Sequence, residues 1–428
     1  MVDKMDLKKV MDTERIKLGK KMMQVATVNY TRNRTNALKT IDEEELKKKI
    51  RKIKEYSISN LDKLKKQAIK NLESRHVKVF EAKDAKEARK IALKLIPKGE
   101  LIVKSKSNTI KEIELLDALK GRNELWDTDC GDFIVQITEE HGTHCISPAL
   151  HIPMEKITKT IKEKFGVKVK PNPKEITGWV REFLREKMIN AKIGLTGANF
   201  ISADGAIFII ENEGNISLVT KLPERHIIFA GIDKIIPTIE DGMSLSHAAG
   251  IWGSGVTMPG CISVIGSPSK TADIKKELVW GMHGAKEVYL ILIDNGRMEM
   301  IKEGFEELLY CINCGACLYP CPVYKNILDN YGLHYFGGRG IGLTVFQEGL
   351  KKGFDRGMYY CTTCELCKQN CPMDIDIPKI IKKLRSKAVK KNLETPVNSG
   401  MMDNVRTAGN PFGEEVKEGK LPDKLYCC

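Results

Sequence analysis

Apolar residues at Leu46, Ile50, Ile53, Leu61, Leu64, Ala68, Ile69 and Leu72 recur near helical spacing, and the positions between them are mostly Lys, Glu and Asp. Residues 1–76 therefore read as an N-terminal helical arm with one apolar stripe for the next domain. The run Asp42-Glu-Glu-Glu-Leu-Lys-Lys-Lys-Ile50 sets acids four residues ahead of lysines, as on a solvated helix face.

From residue 77 to 300 the period shortens. Short apolar or alternating runs predict strands at 77–81, 101–105, 124–128, 143–147, 193–196, 206–210, 217–220, 225–229, 262–265 and 288–293. Helical patterns lie between them: one capped by Asp84, one capped by Asn108, and a stretch from 154 to 191 broken at Gly166 and at Pro171-Asn-Pro173. Such alternation implies an α/β domain with a mixed or largely parallel sheet covered on both faces. Gly194-Leu-Thr-Gly-Ala-Asn199 reads as a strand leading into a turn with Asn199 left-handed, and Glu211-Asn-Glu-Gly-Asn215 as a hairpin-like turn in which Gly214 supplies positive φ. No G-x-G-x-x-G follows a strand and no G-x-S-x-G elbow appears, so neither a dinucleotide fold nor a serine hydrolase is indicated.

Residues 301–390 change character again. Cys311-Ile-Asn-Cys314-Gly-Ala-Cys317-Leu-Tyr-Pro-Cys321-Pro322 and Cys361-Thr-Thr-Cys364-Glu-Leu-Cys367-Lys-Gln-Asn-Cys371-Pro372 both follow C-x2-C-x2-C-x3-C-P. This spacing serves proteins with two [4Fe–4S] clusters: three thiolates wrap one cube and the fourth turns to the other. It assigns Cys311, Cys314, Cys317 and Cys371 to one cluster and Cys361, Cys364, Cys367 and Cys321 to the other. Zinc sites use four ligands as two separated pairs, whereas here each run has four cysteines and a trailing proline. Gly315 suits a loop that passes close to inorganic sulfide. The segment 335–342, rich in glycine but without Walker spacing, reads as a flexible connector. Residues 391–428 are a polar tail ending in Cys427-Cys428, short of apolar residues for a core of its own.

The formal net charge is +14, but the lysines are interleaved with acids and not with aromatics, so nucleic acid is not an expected partner. The charged N-terminus has no apolar stretch of signal-peptide type and no run is long enough for a membrane span, which points to a cytoplasmic protein. In the α/β domain, Lys104 and Lys106 in Lys104-Ser-Lys-Ser107 sit where a strand ends and a helix begins, a candidate anion site. His144 and His151 are candidate general bases or ligands, or structural histidines. No catalytic residue is assigned.

Taken together, Val103-Lys-Ser-Lys-Ser107, Asp129-Cys-Gly-Asp-Phe-Ile-Val-Gln-Ile137, His144-Cys-Ile-Ser-Pro-Ala-Leu-His151, Leu222-Pro-Glu-Arg-His226 and Asp294-Asn-Gly-Arg297 resemble the lactate-utilisation (LUD) domain. With both cysteine runs directly after it, the order resembles the iron–sulfur protein of lactate-utilisation operons. The resemblance implies a CoA-transferase-like α/β fold at 77–300 and a C-terminal α-helical two-[4Fe–4S] ferredoxin-type domain. It further implies an electron-carrying place in a complex that oxidises L-lactate or a related 2-hydroxy acid, beside a CCG-domain iron–sulfur protein and a second LUD-domain protein. Cys130, where a bulky aliphatic residue is expected, and the loosely matching Trp252–Gly260 depart from the pattern. Gly409-Asn-Pro-Phe-Gly413 resembles the stretch that precedes CCG domains in heterodisulfide-reductase-like and glycolate-oxidase-like proteins. Two other roles fit the same residues: an electron carrier for such a partner, or a redox-sensing binding protein.

Overall fold

The computed structural model describes residues 7–413, so Cys427 and Cys428 lie outside the described residues. At its centre is a six-stranded parallel sheet of β1 (Val77–Ala82), β2 (Leu101–Lys104), β3 (Glu124–Asp127), β4 (Ile193–Gly197), β5 (Arg225–Gly231) and β6 (Glu287–Ile293), in the order β1-β6-β5-β4-β2-β3. Register pairs Val77 with Val288, Val288 with His226, His226 with Gly194, Val103 with Gly194 and Val103 with Trp126. The strands are apolar on both faces because helices cover both. One face packs Ile102, Leu195, Phe229 and Ile291 against Ala88, Ala92, Ile110 and Leu115. The other carries Ile228, Leu290 and Leu292 against the helix Leu61–Glu73, while Val103 meets the helices Cys130–Thr138, Met154–Phe165 and Pro173–Asn190. Each fully buried Ile or Leu contributes roughly 1.5–3 kcal/mol. Helix starts are fixed locally: Asp84 accepts from Glu87 N–H at 2.8 Å, Asp129 from Asp132 N–H at 3.0 Å and Asn172 from Glu175 N–H at 3.0 Å.

A second sheet of four short strands, in the order Ile235–Ile236, Phe200–Ser202, Ala206–Glu211, Cys261–Ile265, lies beside the helix Ile239–Ser254.

Several local expectations change. The helix expected to be capped by Asn108 begins at that residue and is capped by Ser107, whose Oγ accepts from Ile110 N–H at 3.2 Å. Segment 143–147 is a loop, because the ring of His144 draws the amides of Ile146 and Ser147 to its Nδ1. Segment 217–220 lies in the helix Asn215–Lys221, where both Glu211 carboxylate oxygens accept from Ser217 N–H at 3.0 Å; Gly214, at φ 77°, turns the chain into that helix and not into a hairpin. Asn199 is not left-handed; its Oδ1 accepts from Ile210 N–H at 2.9 Å and ties two strands. Most of the connector 335–342 is the start of the helix Gly337–Glu348, in which glycine permits close packing: a Cβ on Gly342 would stand 2.8 Å from Leu308.

The N-terminal arm touches more than the α/β domain. Ile16, Met23, Tyr30, Ile50 and Ile53, from the helices Glu14–Leu38 and Glu43–Ser59, share one core with Leu308, Tyr319, Tyr324, Ile341 and Ile381 of the cysteine-rich module. Tyr30 stacks on Tyr319 at 3.8 Å and donates to Trp252 O at 2.8 Å. The tail contains a helix, Pro396–Ala408, with no buried side chain. Among the described residues no helix is long and apolar enough to cross a membrane.

Candidate functional site: two cysteine loops facing the sheet edge

Each run bends its backbone in the same way. Asn313 and Gly315 have φ of 58° and 77°, and Thr363 and Glu365 have φ of 55° and 65°. Alternating left-handed residues turn successive amides toward the loop interior, where sulfur can accept them. Asn313 N–H lies 3.3 Å from Cys311 Sγ and Tyr324 N–H 3.4 Å from Cys321 Sγ.

The fold brings the eight thiols into two groups. Cys314 lies within electrostatic reach of Cys311 and Cys371, and Cys371 within reach of Cys311. Cys367 sits with Cys321, Cys361 and Cys364. Cys317 faces both Cys371 and Cys367, so the two groups adjoin. Burial, reinforced by neighbouring thiolates, pushes Cys314 and Cys317 far above the usual thiol range, Cys367 to about 12 and Cys371 to about 11. Thiolates crowded together in this way are a costly arrangement, and a bound iron–sulfur cube would remove that cost by ligating them deprotonated. A small void is lined by Cys317, Cys321, Cys361, Cys364 and Cys367. Cys311 and Cys317 line a larger cavity described below.

A buried polar knot ties the first loop to the α/β domain and the arm. Arg297 forks onto Glu112 with two bonds of 2.8 Å and reaches Asp233 Oδ1 at 2.5 Å. Glu112 also accepts from Asn295 at 2.8 Å and from Tyr335 at 2.7 Å. Lys54 of the arm donates to Asp233 O, and Lys234 lies 3.2 Å from Asp233 Oδ2 and 3.4 Å from Cys311 O. Burial opposes ionisation of Glu112, but Arg297 outweighs it and holds the carboxyl below its usual range. Burial pushes the Lys54 ammonium down to about 7. Sequence reading misses this knot because its partners lie far apart along the chain; Glu112 and Arg297 are separated by 185 residues.

The sheet edge carries a second charged lattice. The sequence reading offers Lys104 and Lys106 to an anion; the structure gives each a carboxylate of the chain itself. Lys104, fully buried, pairs with Asp127, and Lys106 pairs with Asp129 at 2.8 Å and donates to Ile146 O at 2.6 Å. Lys111 meets Asp132 at 2.8 Å. Burial pushes Asp127 up to about 6 against the pull of Lys104. Asp132 is buried too, but Lys111 and Lys104 hold it low. His151 bonds Thr143 Oγ1 at 3.1 Å and lies 3.7 Å from Glu140.

Between this edge and the first cysteine loop runs a cavity of about 1080 Å³. Asp127, Asp132 and Lys111 line it on the sheet side, Cys311, Gly315 and Cys317 on the loop side, and His144 and Cys145 are also in its wall. Gly315 is required there: a Cβ would stand 2.7 Å from Cys145 Sγ.

Comparison with known proteins agrees with this architecture. Residues 65–293 match the LUD domain family and residues 307–375 the 4Fe-4S dicluster domain family. Lactate utilization protein B of Bacillus cytotoxicus is 32% identical over 390 residues, covering 88% of this chain and 79% of that protein. Lactate utilization protein B of Bacillus cereus strain AH820 is 32% identical over 381 residues, covering 86% and 77%. A DUF162 family crystal structure from Deinococcus radiodurans aligns with 54% of this chain and 98% of its own at 11% identity and a TM-score of 0.31. The chain therefore belongs to the LUD-domain family, and its C-terminal dicluster domain is one that carries two [4Fe–4S] clusters.

Proposed function

We propose that the chain is the electron-transfer subunit of a multi-component system that oxidises L-lactate or a related 2-hydroxy acid to the 2-oxo acid. The observation that carries this reading is the pair of adjoining thiol groups, with Cys317 facing both and Cys364 exposed at the outer end. The names of the relatives supply the substrate. Cys311, Cys314, Cys317 and Cys371 hold one cluster and Cys361, Cys364, Cys367 and Cys321 the other. When bound, the clusters supply one-electron redox chemistry. The chain's own residues keep water from the inner group through Tyr319, Tyr324 and Leu318, all buried. Lys234, whose ammonium lies 3.4 Å from Cys311 O, places positive charge beside the first loop, which favours added negative charge there. Exposure at Cys364 makes the outer group the docking end for a redox partner, for which we propose a CCG-domain iron–sulfur protein and a second LUD-domain protein.

The test is anaerobic co-purification of the native assembly followed by addition of L-lactate. Bleaching of the visible cluster absorption by lactate, dependent on the co-purified subunits, is the expected result. Bleaching by dithionite but never by lactate or another 2-hydroxy acid in the intact assembly would remove the reading.

A further inference from the structure

We propose that the cavity between the sheet edge and the first cysteine loop is a binding site in this chain for a small organic acid carrying oxygen on its second carbon, seated directly against the cluster behind Cys311 and Cys317. The proposal rests on the electron-transfer reading only in placing a cluster at those two cysteines.

Parallel sheets bind ligands beyond the C-terminal ends of their strands. The cavity lies at that end of the edge strand β3, where Leu125 and Asp127 line it, and ends at the cysteine loop.

Its open valences define the guest. His144 Nδ1 accepts from Ile146 N–H at 3.1 Å and Ser147 N–H at 3.2 Å, which puts the ring proton on Nε2. That Nε2–H is buried and has no acceptor among the described residues, while His144 itself is 2% exposed. Arg339, also lining the cavity, donates its Nε–H to Leu308 O at 3.4 Å and lays its guanidinium over the Tyr335 ring. Asp132 Oδ1 accepts from Lys111 Nζ at 2.8 Å, but its buried Oδ2 has no donor among the described residues. Buried groups left in this state call for a partner. One open donor and one open acceptor suit a carboxylate or carbonyl oxygen together with one hydroxyl.

The experiment uses the full-length, cluster-loaded chain without partners, held anaerobically. L-lactate, pyruvate and 2-hydroxycaproate are titrated by calorimetry and by electron paramagnetic resonance of the reduced clusters. At least one acid should bind and change the resonance of one cluster and not the other. His144→Ala should weaken binding about tenfold, the scale of one lost hydrogen bond to a charged group, and His144→Gln, which restores a donor, should recover part of it. Asp132→Asn should shift preference from hydroxy acid toward oxo acid, because the amide offers a donor where the carboxylate only accepts. Iron content equal to wild type certifies each variant as folded. No heat and no spectral change with all three acids, or wild-type affinity in an iron-replete His144→Ala, overturns the site. Absent binding alongside lactate-driven bleaching in the assembly overturns this site alone. Binding without such bleaching supports the site and removes the electron-transfer reading.

Discussion

Asn313 and Thr363 hold equivalent places in the two cysteine runs and the same left-handed backbone, and Gly315 and Glu365 repeat the match. Around these matched loops everything else differs. Ile312, Ala316, Leu318 and Tyr319 of the first loop are buried, whereas Thr362, Cys364, Glu365 and Leu366 of the second are exposed. The first needs glycine at its fifth position because Cys145 presses on it; the second tolerates Glu365 there because that side chain faces solvent. Ligand spacing thus dictates a loop's backbone, and the neighbours decide which residues may fill it.

The strongest way to break this comparison is to remove one thiol from each loop. Iron should fall from about eight to about four per chain in either Cys314→Ser or Cys364→Ser. Cys321→Ser should damage the second group and Cys371→Ser the first, despite their places in the sequence. Iron analysis with resonance spectra decides; loss confined to the run that carries the substitution would refute the cross-ligation.

Next in size is the knot behind the first loop. Arg297→Met strands Glu112 and Asp233 in the interior and should cost ~3–5 kcal/mol in chemical denaturation. Beside the second loop, Lys368 and Asp376 form an exposed pair at 3.0 Å, and Lys368→Ala should leave the denaturation midpoint unchanged. Equal effects would mean that the two loops are equally anchored.

Gly315→Ala should destabilise by about 1–3 kcal/mol through crowding against Cys145, while Glu365→Gly should stabilise by about 1 kcal/mol by relieving a left-handed residue. Thermal melting of the loaded protein reads both signs.

The smallest effect is one of pH. Burial holds His144 neutral, with its pKa pushed from 6.5 down to about 3. Between those values the unfolded chain binds the proton and the folded chain does not, so stability falls as pH drops below about 6.5. Because His144 stands by the first loop, acid should loosen the first cluster before the second, and His144→Gln should flatten the trend. Simultaneous loss of both signals at every pH would contradict it.

The cysteine spacing and the apolar strands were legible because ligation and sheet burial both act on neighbours along the chain. Strands β1, β2 and β6 begin within a residue of where alternation places them. The loop at His144 was not legible: its alternation of polar and apolar residues imitates a strand, and a ring nitrogen capturing two amides has no periodic signature. Lys104 and Lys106 read as open cations because Asp127 and Asp129, which neutralise them, arrive from the next strand end. The glycines of 335–342 signal freedom in isolation; against Leu308 they signal proximity. In each case the deciding partner is distant in sequence.

The N-terminal helices have a consequence for how the chain comes into being. Arg15 forks onto Asp329 with two bonds of 3.0 Å across 314 residues, and Tyr30 waits for Tyr319. During synthesis these helices leave the ribosome long before the module that covers them exists, and their apolar stripe stays bare for most of translation. Contacts of such long sequence separation also fold slowly. Covering that stripe is therefore among the last steps of folding, because it waits for the same C-terminal module that carries the cysteines.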